Sequence, residues 1–325
     1  DGTYSLEASA SQNYTVHLSN VSYPNIIGTD TLTTPVSKAL PAGWVNTGEN
    51  LTGTNDGVIN GILPVAVGTT NVSNANFGIE QRPTAGSGTA SMINQNGTAQ
   101  HTVPATAFTS NANSTDPTPG NVASIRTTGF PAGANSIVIN GITYTTTGTG
   151  GTTVWPAAGV TVPAGPNGNP TQTITVDPAA NDATQVVISF VAIDNAGVES
   201  SNTGTATINF IADPIRSGNN VVAGTVYNDY DGPANGINNL SGANVSGLNA
   251  VLVGDDGLGN QVVYGVTPVS STDGSFQFLN VPDGNFTVVI TTQNPAVRDP
   301  APTSQLPAGW LHTGDIGERD TQGRL

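Results

Sequence analysis

Hydrophobic and polar residues alternate along this chain in short runs, broken by Gly, Pro, Asn and Asp. No stretch sustains the 3.6-residue period of an amphipathic helix. Near the start the runs are Ile62–Val67 and Ala75–Ile79. The middle has Thr171–Val176, Gln185–Ile193 and Ala206–Ile211, and the end has Val221–Tyr227, Ala250–Val253 and Gln261–Tyr264. Each is rich in β-branched residues and bounded by turn formers such as Asp194-Asn195-Ala196-Gly197, the signature of a strand. Side chains alternate between the two faces of a strand. That period turns Tyr4, Val16, Leu18, Phe77, Ile188, Phe190, Ile208, Val226, Val251, Phe276, Phe278, Val288 and Ile290 inward as the predicted core. The predicted class is all-β, a row of β-sandwich beads with almost no helix.

An internal repeat organises the row. Asp1-Gly2-Thr3-Tyr4-Ser5 recurs as Asp273-Gly274-Ser275-Phe276-Gln277, and Asn13-Tyr14-Thr15-Val16 as Asn285-Phe286-Thr287-Val288, both at an offset of 272. Leu40–Glu49 then recurs as Leu306–Asp315 at an offset of 266, so a loop is six residues shorter in the second copy. The two ends are thus copies of one module, trimmed on opposite sides. The second copy has front strands between about 220 and 272, and the first has back strands between 61 and 80. The predicted units are 1–82, a partial sandwich starting in mid-domain; 84–213, a complete sandwich; and 217–325, a partial sandwich. Gln81-Arg82-Pro83-Thr84 and Asp213-Pro214-Ile215-Arg216 are the predicted linkers, since Pro cannot donate to a sheet ladder.

Composition narrows the partners. Among 325 residues only 9% are charged, with 7 Lys and Arg against 22 Asp and Glu, a net charge of −15. A nucleic-acid binder needs a basic footprint, and a peripheral membrane binder a polybasic patch; the chain has neither. No apolar run reaches the ~18 residues of a membrane-spanning helix. Surplus carboxylates suit hard cations, calcium above all. Cys is absent, which excludes disulfides and thiolate metal sites, and fits an exported prokaryotic surface protein. Sequons stand at Asn13, Asn20, Asn50, Asn71, Asn96, Asn113, Asn239, Asn244 and Asn285. They are candidate glycosylation sites that a chain rich in Asn, Ser and Thr also produces by chance.

The run Gly224-Thr225-Val226-Tyr227-Asn228-Asp229-Tyr230-Asp231-Gly232 is followed by Leu248–Val253, Thr272–Phe278 and Val281–Val288. Together these resemble the B-type domains of serine–aspartate repeat adhesins, relatives of the collagen-adhesin B domain. The resemblance covers about 217–325 and, through the repeat, 1–80; the middle unit looks like a bacterial immunoglobulin-like module. It implies extracellular sandwiches stacked as stalks, often holding calcium. It places a candidate Ca²⁺ loop at Asp229, Asp231, Asn235 and Asn238, interrupted by Pro233, where the same residues also suit an ion-free turn. The Lys–Asn isopeptide bond of some collagen-adhesin relatives is not expected. The one lysine, Lys38, lies in a loop, and the repeat puts Ser304 at its position.

Catalytic constellations are not apparent. His17, His101 and His312 form no zinc spacing, and no Gly-X-Ser-X-Gly elbow is present. His17 is expected on an exposed face. Trp44 and Trp310 share one place in the repeat and suggest a structural role, with a sugar platform as the sharper alternative. The chain is therefore expected to be a non-enzymatic structural unit of an extracellular fibre or stalk. Its partner would be another copy or a covalent neighbour, joined end to end. The alternatives are an adhesin or carbohydrate-binding module for a surface glycan or host ligand, and an S-layer subunit.

Overall fold

The computed structural model describes residues 2–22, 36–95, 100–227 and 246–306, and the chain they form is all-β. Among the described residues the one helical element is a four-residue 3₁₀ turn, Ala105–Phe108. The first strands are β1 (Gln12–His17), β2 (Trp44–Leu51), β3 (Thr54–Asn55), β4 (Ile62–Val67) and β5 (Ala75–Gln81). A middle block holds β6 (Ser87–Asn94), β7 (His101–Thr102), β8 (Val122–Thr127), β9 (Ala134–Ile139), β10 (Ile142–Thr145), β11 (Thr153–Val154), β12 (Thr161–Pro163), β13 (Ile174–Pro178), β14 (Thr184–Asp194) and β15 (Gly204–Ala212). The last block has β16 (Asn220–Thr225), β17 (Asn249–Asp255), β18 (Gln261–Pro268), β19 (Ser275–Val281) and β20 (Phe286–Thr291).

The middle block is a sandwich of two five-stranded sheets, β11-β10-β9-β13-β7 and β12-β8-β14-β15-β6. Alternation makes it so. Val186, Ile188, Phe190 and Ala192 of β14, with Ala206, Ile208 and Phe210 of β15, are all buried on one face. They meet Ile137, Ile139, Ile174 and Val176 of the opposite sheet in a single core. Phe108 reaches in from the 3₁₀ turn and lies 5.4 Å from the Phe190 ring. Each fully buried Val, Ile or Phe among them contributes about 1.5–3 kcal/mol. The first and last strands close the unit, because β6 pairs in parallel with β15 from Ser87–Thr205 to Asn94–Ala212.

Two smaller units flank it, each of two sheets. The first has β1-β4 and β3-β2-β5, and the last has β16-β19 and β18-β17-β20. The last unit is the better packed. Leu248, Ala250, Leu252, Val269, Phe278 and Val281 are buried between its sheets. Among the described residues of the first unit, the buried apolar side chains of this kind are Leu63 and Val65 of β4.

Of the predicted core, Ile188, Phe190, Ile208, Val251 and Phe278 are buried, and Val16, Leu18, Phe77, Val226, Phe276, Val288 and Ile290 are half-buried. Tyr4 departs from the prediction at 50% exposure, and its neighbour on the same face, Leu6, is 67% exposed. The reason is the missing partner. The equivalent residues Phe276 and Phe278 lie on β19, which β16 pairs, whereas residues 3–9 form no strand. The first of the two linkers is anchored to both neighbouring units. Arg82 N–H donates to Gly43 O at 2.8 Å, Pro83 is buried, and Thr84 bridges Thr115.

Candidate functional site: open strand edges and charged joints

The repeat is reproduced in three dimensions. Asn20 N–H donates to Ala39 O at 2.8 Å, and the equivalent Thr292 N–H donates to Gln305 O at 2.8 Å. That pair of bonds fixes the orientation of the shared strand, which is β1 in the first copy and β20 in the second. Alternate residues of an extended chain present their polar groups to the same edge. Leu18 N–H donates to Gly61 O beside β4, so β4 lies on the Ala39 edge of β1. In the second copy Thr291 bridges Gln305 on one side and pairs with Asn249 of β17 on the other. Hence β17 occupies the edge of β20 opposite to the one that β4 occupies on β1. Each copy covers one edge of the same strand and, among the described residues, leaves most of the other open. The exposed Tyr4 and Leu6 extend the uncovered surface of the first unit. There Tyr4 Oη donates to Ala75 O and its ring stands 6.4 Å from that of Phe77.

Charged groups gather where units meet. Between the middle and last units, Arg298 donates to Asp213 Oδ2, while Asp213 Oδ1 accepts from Ile215 N–H at 3.0 Å. The Asp213 side chain is 1% exposed and that of Arg298 28%. Between the first and middle units, Arg82 donates to the carbonyl of Glu199 at 2.7 Å. Arg126 grips the Glu199 carboxylate with two bonds of 2.7 and 2.6 Å. This hydrogen-bonded guanidinium, against the opposing effect of burial, holds the Glu199 carboxyl below its ordinary value. At the same joint Glu80 of β5, Asp116 and Asp194 bring one carboxylate oxygen each to within 4.8 Å of one another. Burial, and then repulsion from Asp194 and Asp116, raises the Glu80 carboxyl; burial and Asp194 raise that of Asp116.

The candidate calcium residues Asp229, Asp231, Asn235 and Asn238 lie outside the described residues. So do Trp310, His312 and the sequons at Asn96, Asn239 and Asn244. Asn13, Asn20, Asn71, Asn113 and Asn285 are exposed. Asn50 is half-buried in β2, and its Oδ1 accepts from Gly53 N–H and Asn76 Nδ2. His17 is half-buried rather than exposed, with its Nε2 3.2 Å from Thr15 Oγ1. Trp155 packs edge-on against Phe130 and Tyr144, at 5.8 and 5.5 Å, on the flank of the middle core. Sequence reasoning missed the acidic joint altogether. Its three members are 36 and 78 positions apart, and Asp194 reads in sequence only as the first residue of a turn.

No protein-family model matches the chain, and no curated protein is significantly similar to it.

Proposed function

We propose that this chain is a structural unit of an extracellular prokaryotic fibre or stalk, continued end to end by completing its two partial sandwiches. The observation that supports this most directly is the pair of complementary edges. The shared strand carries β4 on one side in the first copy and β17 on the other side in the second. A full module therefore has the sheet order β18-β17-shared strand-β4. An open edge pairs with any strand of matching pattern, and the best-matched strand is the one its own repeat supplies. Because both copies carry the shared strand, joining two chains requires that strand and its flanks to be shared or layered between them. Covalent continuation in a longer repeat chain meets the same need without exchange. A head-to-tail contact of this kind propagates as a filament. The low charge, the absence of Cys and the resemblance to adhesin stalk domains agree with that setting.

Negative-stain imaging of the purified chain tests the reading. Uniform filaments are the expected result; a planar lattice or persistent monomers with both ends protected from protease would overturn it. Boiling the assembled material in detergent separates the two kinds of continuity. A band near 32.8 kDa marks separate subunits, and material too large to enter the gel marks a covalent chain.

A further inference from the structure

We propose that Glu80, Asp116 and Asp194 form a divalent-cation site for Ca²⁺ that locks the first unit onto the middle sandwich. The three residues come from both sides of the joint. Glu80 lies on β5 of the first unit, Asp116 in the loop before β8, and Asp194 at the end of β14. Their ligand oxygens lie within 4.8 Å of one another. Ca²⁺–oxygen distances are about 2.3–2.6 Å, so oxygens on opposite sides of one ion stand about twice that far apart, and the cluster fits a single coordination sphere.

An independent observation points to a ligand. Asp194 is 2% exposed, and its Oδ1 is already committed to the N–H groups of Ala196 and Val198, at 2.9 and 2.8 Å. Its Oδ2 is buried with no hydrogen-bond partner. Oδ2 is thus the oxygen Asp194 has left to offer the cluster. Asp116 Oδ2 is likewise buried and unpartnered. A buried carboxylate oxygen left without donor or cation is costly, and native structures supply one or the other. No ion pair reaches these three carboxylates among the described residues, where the arginine pairs are Arg126–Glu199, Arg216–Asp182 and Arg298–Asp213. The neighbouring Arg82 directs its Nη1 to the Glu199 carbonyl. Three carboxylates, a buried free oxygen and, among the described residues, no ion-paired protein cation together call for a hard metal ion. The site is independent of how the chain assembles, and of the Asp229/Asp231 loop.

The test uses the full chain, metal-free, with CaCl₂ as the probe. Thermal melts should show a rise of about 4 °C at ~10 mM Ca²⁺ for a Kd of about 10⁻³ M, as expected for extracellular calcium modules. Glu80→Gln and Asp194→Asn should each lose that rise, while Asp229→Asn with Asp231→Asn should keep it. A sign reversal separates a ligand from a structural residue. In EDTA, Glu80→Gln should melt at or above the wild-type temperature, because the change removes repulsion, and below it once Ca²⁺ is added. Two outcomes overturn the proposal: a wild-type melt indifferent to Ca²⁺, or a Ca²⁺ response retained in Glu80→Gln combined with Asp194→Asn.

Discussion

Replacing Arg298 by Ala should loosen the joint between the middle and last units by about 3 kcal/mol. The carboxylate it faces, Asp213, is 1% exposed in its side chain, so the substitution leaves a buried charge without the Arg298 cation. Breaking such a pair costs about 3–5 kcal/mol. The lower end applies because the guanidinium is 28% exposed and water can partly replace it. Arg298 also sits at φ +80°, held there in part by its N–H bond to Val263 O at 2.8 Å. A non-glycine residue in that region carries about 1–2 kcal/mol of strain. Arg298→Gly should therefore be milder than Arg298→Ala by about 1 kcal/mol, although both remove the cation. Amide exchange of the intact protein reads this locally, through Ile215 N–H on Asp213 Oδ1 and Val263 N–H on Asp299 O. A loss of about 3 kcal/mol is about 10²-fold faster exchange at these amides. Adding Asp213→Asn to Arg298→Ala removes the buried charge and should recover most of the protection. Exchange less than about threefold faster in Arg298→Ala, or no recovery in the double variant, would refute the reasoning.

Three further outcomes are expected. Leu6→Ala should change the melting of the unassembled chain by less than about 0.5 kcal/mol, whereas its repeat equivalent Phe278→Ala should cost about 3–5 kcal/mol, as differential scanning calorimetry can show. Burial pushes the Asp256 carboxyl up, but hydrogen bonds from the Asn260 side chain and the N–H groups of Asn260 and Leu258 outweigh it and hold the group below its ordinary value. Its stabilisation is then complete above about pH 4 and fades as the pH drops through the lowered value. Asp256→Ala should cost about 2–3 kcal/mol near neutrality and progressively less in acid; a penalty that is flat with pH would contradict this. Gly159→Ala should destabilise the middle sandwich by more than about 2 kcal/mol in denaturant unfolding. Gly159 has φ +78°, and a Cβ there would stand 1.7 Å from Thr127 O.

Strands that carry their own pattern were legible in the sequence. Ile62–Val67 is β4 as read, and Gln185–Ile193 and Ala206–Ile211 fall inside β14 and β15. The strand β6 was not, because Ser-Gly-Thr-Ala-Ser opens it with small residues that show no alternation. Its place comes from parallel pairing with β15, more than a hundred residues away, and local pattern cannot express that. His101 was hidden for the same reason. It is 6% exposed and stacks edge-on to Phe210 at 5.1 Å, a contact made only when β7 and β15 face each other across the core. The repeat made the open edges legible in outline, but which edge each copy uses emerged only from the bonds of Asn20 and Thr292.

The placement of the few cations ties these observations together. The described residues include one lysine and four arginines, and every one of those arginines binds or faces a group at or near a joint. Arg82 and Arg126 converge on Glu199 beside the first joint, and Arg298 meets Asp213 at the second. Arg216, next to the second joint, approaches Asp182 at 3.9 Å. With both partners more than half exposed, that last contact contributes little. Among the described residues, then, the arginines stand at or beside the boundaries between units, where they bond to or face groups of the adjoining segments. At the first joint Arg126 pairs with the Glu199 carboxylate and Arg82 donates to the Glu199 carbonyl, and among the described residues no ion pair reaches Glu80, Asp116 or Asp194. The two joints therefore differ in kind. The second holds an internal ion pair between Arg298 and Asp213, while the first offers the proposed site for a cation from outside. On that proposal, added calcium would stiffen the contact between Glu80 and the middle unit.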